Sequence, residues 1–498
     1  MLEIPPDEII QRIRLENPWW TNNHTISGGH LAMTPRAYFE LFFPLVRERV
    51  LRRALVLMGP RRVGKTVLIH HAIQALINEG VPPELICYFS VDHPIYNGQS
   101  LERLLSYYSQ ANAVDHKSAP IYVFFDEIQY LREWEVHLKS VVDTYSNIKC
   151  VASGSAAAAL RLRSQESGAG RFTDFLLPPL TFYEYLNLLG KTGSLHEPPA
   201  VPGGKHSGFF SVDNIEELNE QFINYLNFGG YPEVIFSPQI QSDPARFIKS
   251  DIIDKVLLRD LPSLYGIDNI QELNYLFTTL AFNTANEVSL RELSLNSGVA
   301  KNTIKRYIEY LEAAFLVKLV HRVDHNAKRF RRANFFKVYL TNPSMRAALF
   351  SPLLADDTEA VGRLAETAIF SQWFHSQNPV YYARWQEGSH ANGEVDIVHL
   401  GPNQKVSWAV EVKWSDRYCD KVGELKSLIS FCHTNKLKRI LVTSKTKTLT
   451  CMEAGIQISF IPASVYCYTV GYNIVRSKNL PPPPPIVEQS TEQLKQPV

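Results

Sequence analysis

Gly59-Pro60-Arg61-Arg62-Val63-Gly64-Lys65-Thr66 (GPRRVGKT) follows the apolar run Ala54 to Met58 (ALVLM) and leads into the helix-like stretch TVLIHHAIQALI. Strand, glycine-rich turn and helix start, in that order, suit a polyphosphate. Backbone N–H groups at the helix N-terminus surround the anion, and the glycines let the chain come close to it. In this G-x-x-x-x-G-K-[ST] pattern Lys65 reaches the β and γ phosphates and the Thr66 hydroxyl ligates Mg2+. Gly59, Pro60, Arg61, Arg62, Val63, Gly64, Lys65 and Thr66 are therefore the expected ATP-binding residues, carried on an α/β fold.

Hydrolysis needs a second, acidic site. Ile121 to Glu127 (IYVFFDE) supplies five apolar residues and then two carboxylates, the pattern of a buried parallel strand with acids at its C-terminal edge, where ligands of open α/β sheets gather. Asp126 is expected to hold Mg2+ and Glu127 to polarise the attacking water. A further strand, Lys149 to Ala152, runs into Ser153-Gly154-Ser155. Either Ser153 or Ser155 there is a γ-phosphate sensor, or the same letters mark a tight glycine turn with a helix cap. Arg171, in Gly168 to Phe172 (GAGRF), is either a finger that neutralises transition-state charge or a surface arginine.

Together, GPRRVGKT, FFDEIQYLREW, SGSAAAAL and GRFTDFLLPPLTFYEYL resemble a prokaryotic AAA-superfamily P-loop ATPase family, over roughly residues 40 to 475. In that family the ATPase module is followed by a winged helix and a C-terminal domain of unknown function. The resemblance implies a Walker B pair at Asp126 and Glu127 and a Gly-Arg element at Gly170 and Arg171. The Gly- and Pro-rich stretch Lys191 to Gly208 departs from the family pattern.

Composition agrees with several globular domains. The chain has 498 residues, 45% of them hydrophobic, enough for about three domains. A net charge of +1 excludes a global basic field, so any nucleic-acid contact must be local. Cys87, Cys150, Cys419, Cys432, Cys451 and Cys467 form no C-x-x-C pair, which suits free thiols in a reducing cytosol. No apolar stretch reaches the roughly twenty residues of a membrane span. The start, MLEIPPDEIIQRIRLENPWW, lacks the basic and apolar regions of a signal peptide. A soluble, cytoplasmic homo-oligomer with no membrane partner is expected.

Along the chain, residues 1-50 read as a helical leader whose Trp19-Trp20 and Tyr38 to Phe43 run pack on the ATPase core. Residues 51-190 read as the P-loop ATPase core and 191-284 as an insert with a helical lid or connector. Residues 285-345 have the rhythm of a winged helix-turn-helix: SLRELSLNSGV, then AKNTIKRYIEYLEAAFLVKLV. Its second helix presents Lys301, Asn302, Thr303, Lys305 and Arg306, and Lys328, Arg329, Arg331 and Arg332 sit in the wing around Phe330. Such cations suit a DNA backbone, although winged helices in ATPases of this kind also serve as lids or protein contacts. The tail, 476-498, contains Pro481 to Pro485 and reads as a disordered end.

Residues 355-475 carry a second set of reactive groups. Asp396 lies in GEVDIV, and Glu411 and Lys413 share a side in WAVEVK. Glu366, in VGRLAETAIFSQWF, is a further acid on a preceding helix. Asp396, Glu411 and Lys413 match the motif of the restriction-endonuclease-like PD-(D/E)xK superfamily, which implies a third α/β domain. Asp396, Glu411 and Glu366 would then ligate Mg2+ or Mn2+ while Lys413 orients or deprotonates water. Two functions follow. One is a Mg2+-dependent ATPase coupled to DNA binding, with metal-dependent nuclease chemistry in phage or mobile-element defence. The other is an ATP-switched regulatory or scaffolding protein whose C-terminal domain binds without cleaving.

Overall fold

The computed structural model describes residues 4–22, 24–154, 170–198, 200–201, 205–206, 208–329, 335–373, 376, 379–387 and 391–476. Expectations placed on Phe330, Arg331, Arg332 and nearly all of the Pro-rich tail lie outside these residues. The chain divides into two compact units. The first is Met1–Pro179 with Asp254–Asp268 and Ala313–Phe315, and the second is the remainder.

The first unit is built on five parallel strands, β1 (Ala54–Met58), β2 (Ile86–Ser90), β3 (Tyr122–Asp126), β4 (Lys149–Gly154) and β5 (Phe172–Leu176), in the order β2-β3-β4-β1-β5. β1 and β3 are buried at every position, as continuous apolar runs must be when both faces of a parallel sheet are covered. Ile9, Ile13, Phe89, Leu105, Phe125 and Leu138 share one core. The leader thus packs on the sheet, and Trp19 and Trp20 both donate their indole N–H to Ile86 O, at 3.1 and 2.9 Å.

The second unit contains a nine-stranded sheet. Its strands are β6 (Glu287–Ser289), β7 (Val317–Val323), β8 (Phe335–Leu340), β9 (Val380–Glu387), β10 (Ala391–Leu400), β11 (Val406–Glu411), β12 (Arg439–Ser444), β13 (Leu449–Glu453) and β14 (Ile456–Pro462), in the order β6-β8-β7-β9-β10-β11-β12-β14-β13. Between β6 and β7 stand the helices Leu290–Ser297 and Lys301–Ala313. The turn between them holds Gly298 at φ +73°, a left-handed conformation that glycine takes without steric cost. Ile304, Tyr307, Ile308 and Leu311 face inward at helical spacing. The helix Thr358–Trp373 precedes β9, and Lys426–Thr434 precedes β12.

Contacts group two stretches across the sequence-based boundaries. Phe182–Leu188, expected inside the ATPase core, belongs to the second unit, where Phe182 meets Phe222 and Tyr225 at 5.2 Å between ring centroids. Asp254–Asp268, expected in the connector, belongs to the first. For Phe182 the contact is apolar, and for Asp260 it is the ion pair with Arg61 at 2.6 Å. Among the described residues all six cysteines are free, five of them buried, and no helix is long and apolar enough to cross a membrane.

Candidate functional site

The loop Gly59–Thr66 leaves β1 at its C-terminal edge and enters the helix Lys65–Asn78 through Gly64, at φ +93°. A Cβ on Gly59 would lie 2.1 Å from Leu177 O, so only glycine fits there. Arg36, from the leader, donates to Val63 O at 3.0 Å and Pro178 O at 2.8 Å and braces the loop. Lys65 is buried, and its ammonium turns back to Gly59 O (3.1 Å) and Pro60 O (3.0 Å). Burial lowers its pKa, against the Glu127 and Asp126 carboxylates. Arg62 is exposed at φ +132°.

Asp126, at the end of β3, gathers three hydroxyls. Thr66 Oγ1 donates to Oδ2 at 2.6 Å, Tyr88 OH donates to Oδ2 at 2.8 Å, and Ser153 Oγ donates to Oδ1. Ser153 also accepts the Glu127 N–H at 3.2 Å. It therefore fixes both acids, a role the sequence reading did not assign. Glu127 holds φ +55°, a backbone state that is costly for a residue with a side chain and typical of reactive sites. Its carboxylate accepts from Gln129 Nε2.

Arg61 points away from the loop. It forms a two-pronged ion pair with Asp260, at 2.6 and 2.8 Å, and its Nη2 lies 3.4 Å from Tyr130 OH. Asp260 ends a π-helical turn, Val256–Asp260, and such turns recur at functional sites. Tyr88, Arg36 and Asp260 were missed by sequence reasoning; each lies far along the chain from the group it serves. Arg171 is a correction. Its backbone carbonyl accepts the Ala54 N–H at the opening of β1 (2.9 Å), and its guanidinium pairs with Asp143 at 2.5 Å. In a parallel sheet this is the end opposite the loop, ~17 Å away for five residues of strand, so Arg171 is no finger for its own chain.

Residues 51–186 match the model of a family described as AAA domain. They form an AAA-type P-loop ATPase module. Residues 219–357 match a domain of unknown function (DUF8612). Two uncharacterized proteins of Methanocaldococcus jannaschii are similar to this chain. MJ1544 is 23% identical over 75% of this chain and 77% of its own length, and MJ1637 is 25% identical over 64% and 67%. An uncharacterized protein of Haemophilus influenzae is 24% identical over 58% of this chain and 68% of its own. Among solved structures, the S. cerevisiae Hsp104-ADP complex matches at 13% identity and a TM-score of 0.30, covering 61% of this chain and 40% of that one; at that score the likeness carries no argument. An AAA module of this kind implies nucleotide binding, and Gly59–Thr66 and the acids Asp126 and Glu127 lie together at the C-terminal edge of its sheet.

In the second unit Glu366, Asp396, Glu411 and Lys413 do come together. Lys413 Nζ lies 2.6 Å from Glu411 Oε1 and 3.8 Å from Asp396 Oδ2, and the Val412 N–H donates to Asp396 Oδ2 at 2.8 Å. A residue absent from the sequence-based set is at the centre. Lys337 of β8, its side chain 3% exposed, places Nζ 2.9 Å from Glu366, 2.6 Å from Glu394 and 3.7 Å from Asp396. Tyr339 OH donates to Glu366 at 2.7 Å. Burial would lower the Lys337 pKa, but Glu366, Tyr339, Asp396 and Glu394 outweigh it and raise it. Burial also raises Glu366 and Glu411, against the lysines that face them.

Glu366, Asp396 and Glu411 converge on two ammoniums, and among the described residues no group of three His, Cys, Asp or Glu is arranged to hold a metal ion. Opposite charge closes the acids around Lys337, where sequence reasoning had placed Mg2+ or Mn2+.

Proposed function

We propose that the protein couples Mg2+-dependent ATP hydrolysis in the AAA module to nucleic-acid binding by its second unit. The Thr66 to Asp126 hydrogen bond of 2.6 Å carries the catalytic half. It brings the loop hydroxyl and the strand-end carboxylate to one point, and their oxygens suit a hard divalent ion. Bound there with the nucleotide by Thr66 and Asp126, Mg2+ would neutralise charge on the β and γ phosphates. Lys65 would exchange its two loop carbonyls for phosphate oxygens. Glu127, fixed by Ser153 and Gln129, would orient the attacking water and take up its proton. With Arg171 at the far end of the sheet, a homo-oligomer would supply a finger from a neighbouring copy.

The nucleic-acid half rests on element order and exposed charge. β8 lies antiparallel between β6 and β7, after two helices joined by a glycine turn, the order of a winged helix. Lys301, Asn302, Lys305 and Arg306 are exposed along the second helix, where a recognition helix meets base edges and phosphates. The run of helix, three strands, helix and strand from Thr358 to Ser444, with Asp396, Glu411 and Lys413 at its centre, supports a restriction-endonuclease-like domain.

Two readings of that domain remain. Cleavage is favoured by Glu411 Oε2, which is buried and has no hydrogen-bond partner, an oxygen that Mg2+ or Mn2+ would take. Binding without cleavage is favoured by Lys337, whose ammonium already neutralises Glu366, Glu394 and Asp396. The second rests on more contacts. Incubation of plasmid and linear DNA with ATP and Mn2+, using wild type and Lys413→Ala, decides: identical DNA profiles remove the nuclease, and breaks made by wild type only establish it.

A further inference from the structure

We infer that the edge of the parallel sheet opposite the nucleotide loop is a second anion site, built to take a phosphate group. Arg53 immediately precedes β1 and Lys149 opens β4, and these strands are neighbours. With Arg49 and Arg52 they line a shallow, solvent-open concavity of about 20 Å3 whose described lining contains no Asp or Glu. It lies the length of the strands, ~17 Å, from Gly59–Thr66, so one nucleotide does not fill both.

The cations divide by what they touch. Arg49 donates to Pro120 O at 3.2 Å and to Asn147 O, with its guanidinium 4.6 Å over the Tyr122 ring. Arg52 donates to Val142 O at 3.3 Å and Asp143 O at 3.2 Å, closing the last turn of the helix Trp134–Thr144. These two shape the walls. Arg53 and Lys149 make no side-chain hydrogen bond or ion pair among the described residues, although Lys149 is only 7% exposed. The carboxylate acting on it at longer range is Glu48, whose oxygen accepts the Val50 N–H at 2.6 Å and the Leu51 N–H at 3.3 Å.

Burial lowers the Lys149 pKa, so its ammonium is partly stripped of water with no acceptor in exchange, a cost to the folded state. An oxyanion in the concavity would reverse that penalty. A tetrahedral phosphate suits the pair, since Arg53 offers a planar fork of donors and Lys149 a point charge. The phosphate comes either from a small phosphate ester or from a nucleic-acid backbone.

The test uses the full chain with saturating ADP and Mg2+ in the nucleotide loop. Thermal unfolding is followed in sodium phosphate and in sodium chloride at equal ionic strength, for wild type, Lys149→Met and Arg53→Gln. Phosphate should raise the wild-type midpoint by several degrees and leave Lys149→Met unmoved. In chloride, Lys149→Met should melt above wild type, because the unpaired charge is gone. A purely structural lysine gives the reverse, a lower midpoint in chloride, and that result overturns the inference, as does a phosphate response that survives both substitutions. Polarisation of a labelled single-stranded oligonucleotide then identifies the source. A tenfold or greater loss of affinity in Arg53→Gln assigns the site to nucleic-acid backbone, and unchanged affinity beside a lost phosphate response assigns it to a small ester.

Discussion

Thr66 Oγ1 stands 2.6 Å from Asp126 Oδ2, which joins the first turn of the loop helix to the end of β3. Residues sixty positions apart in sequence are in direct contact at the point where the proposed mechanism puts a divalent ion. The division of labour around this contact can be measured.

Lys65→Ala should remove ATP binding in calorimetry, because the ammonium that replaces loop carbonyls with phosphate oxygens is lost. Glu127→Gln should keep binding and cut turnover by ~100-fold or more, the usual worth of a positioned base. Full turnover in the glutamine variant would show that Glu127 does not act on the water.

Arg61 and Asp260 are joined across 199 positions of sequence, with side chains only 20% and 14% exposed. Asp260→Asn removes the charge but not the shape, leaving a half-buried guanidinium short of its partner at a cost of about 1–3 kcal/mol. Urea unfolding should register that loss. ATP affinity should also fall, since Arg61 anchors the loop from outside.

Stability should depend on His70. Its ring nitrogen lies 2.9 Å from Thr66 O, and burial pushes its pKa from the ordinary 6.5 to about 4. As pH falls through 6.5 the unfolded chain takes up a proton that the folded chain refuses until near 4. The contribution is therefore fully present above 6.5, is lost progressively down to about 4 and then levels off, on the order of 3 kcal/mol in all. Unfolding of wild type and His70→Gln at several pH values checks this: the difference between them should shift across that window and stay constant above it.

Lys337→Met should destabilise the second unit by about 3–5 kcal/mol near pH 8, since Glu366, Glu394 and Asp396 lose their shared counter-charge. Millimolar Mn2+ should restore the melting midpoint of this variant and leave wild type unchanged. Electron paramagnetic resonance would report the bound ion directly. Mn2+ binding to wild type that Asp396→Asn abolishes would show that the ammonium does not keep metal out.

Some of the chemistry was legible from residues close together in the chain. The glycines, Lys65 and Thr66 of the loop are consecutive or nearly so, and the turn they make sets where their groups stand, so their spacing suffices. The pair Asp126 and Glu127 is legible too, because an unbroken apolar run ending in acids has few other structural meanings. The gathering of Asp396, Glu411 and Lys413 followed from strand alternation. The place of Arg171 was not legible, because a glycine-rich setting does not say which end of the sheet it occupies.

By itself the sequence determined that a glycine-rich turn of P-loop pattern joins a buried strand to a helix and that two acids end a second buried strand. Those properties are fixed by backbone geometry over a few consecutive positions. Tertiary structure alone decided that Ser153 and Tyr88 hold Asp126, that Asp260 holds Arg61, and that Lys337 fills the acid cluster of the second unit. Long-range partners are chosen by how strands and helices pack, and a buried charge takes whichever opposite charge that packing brings within hydrogen-bonding reach.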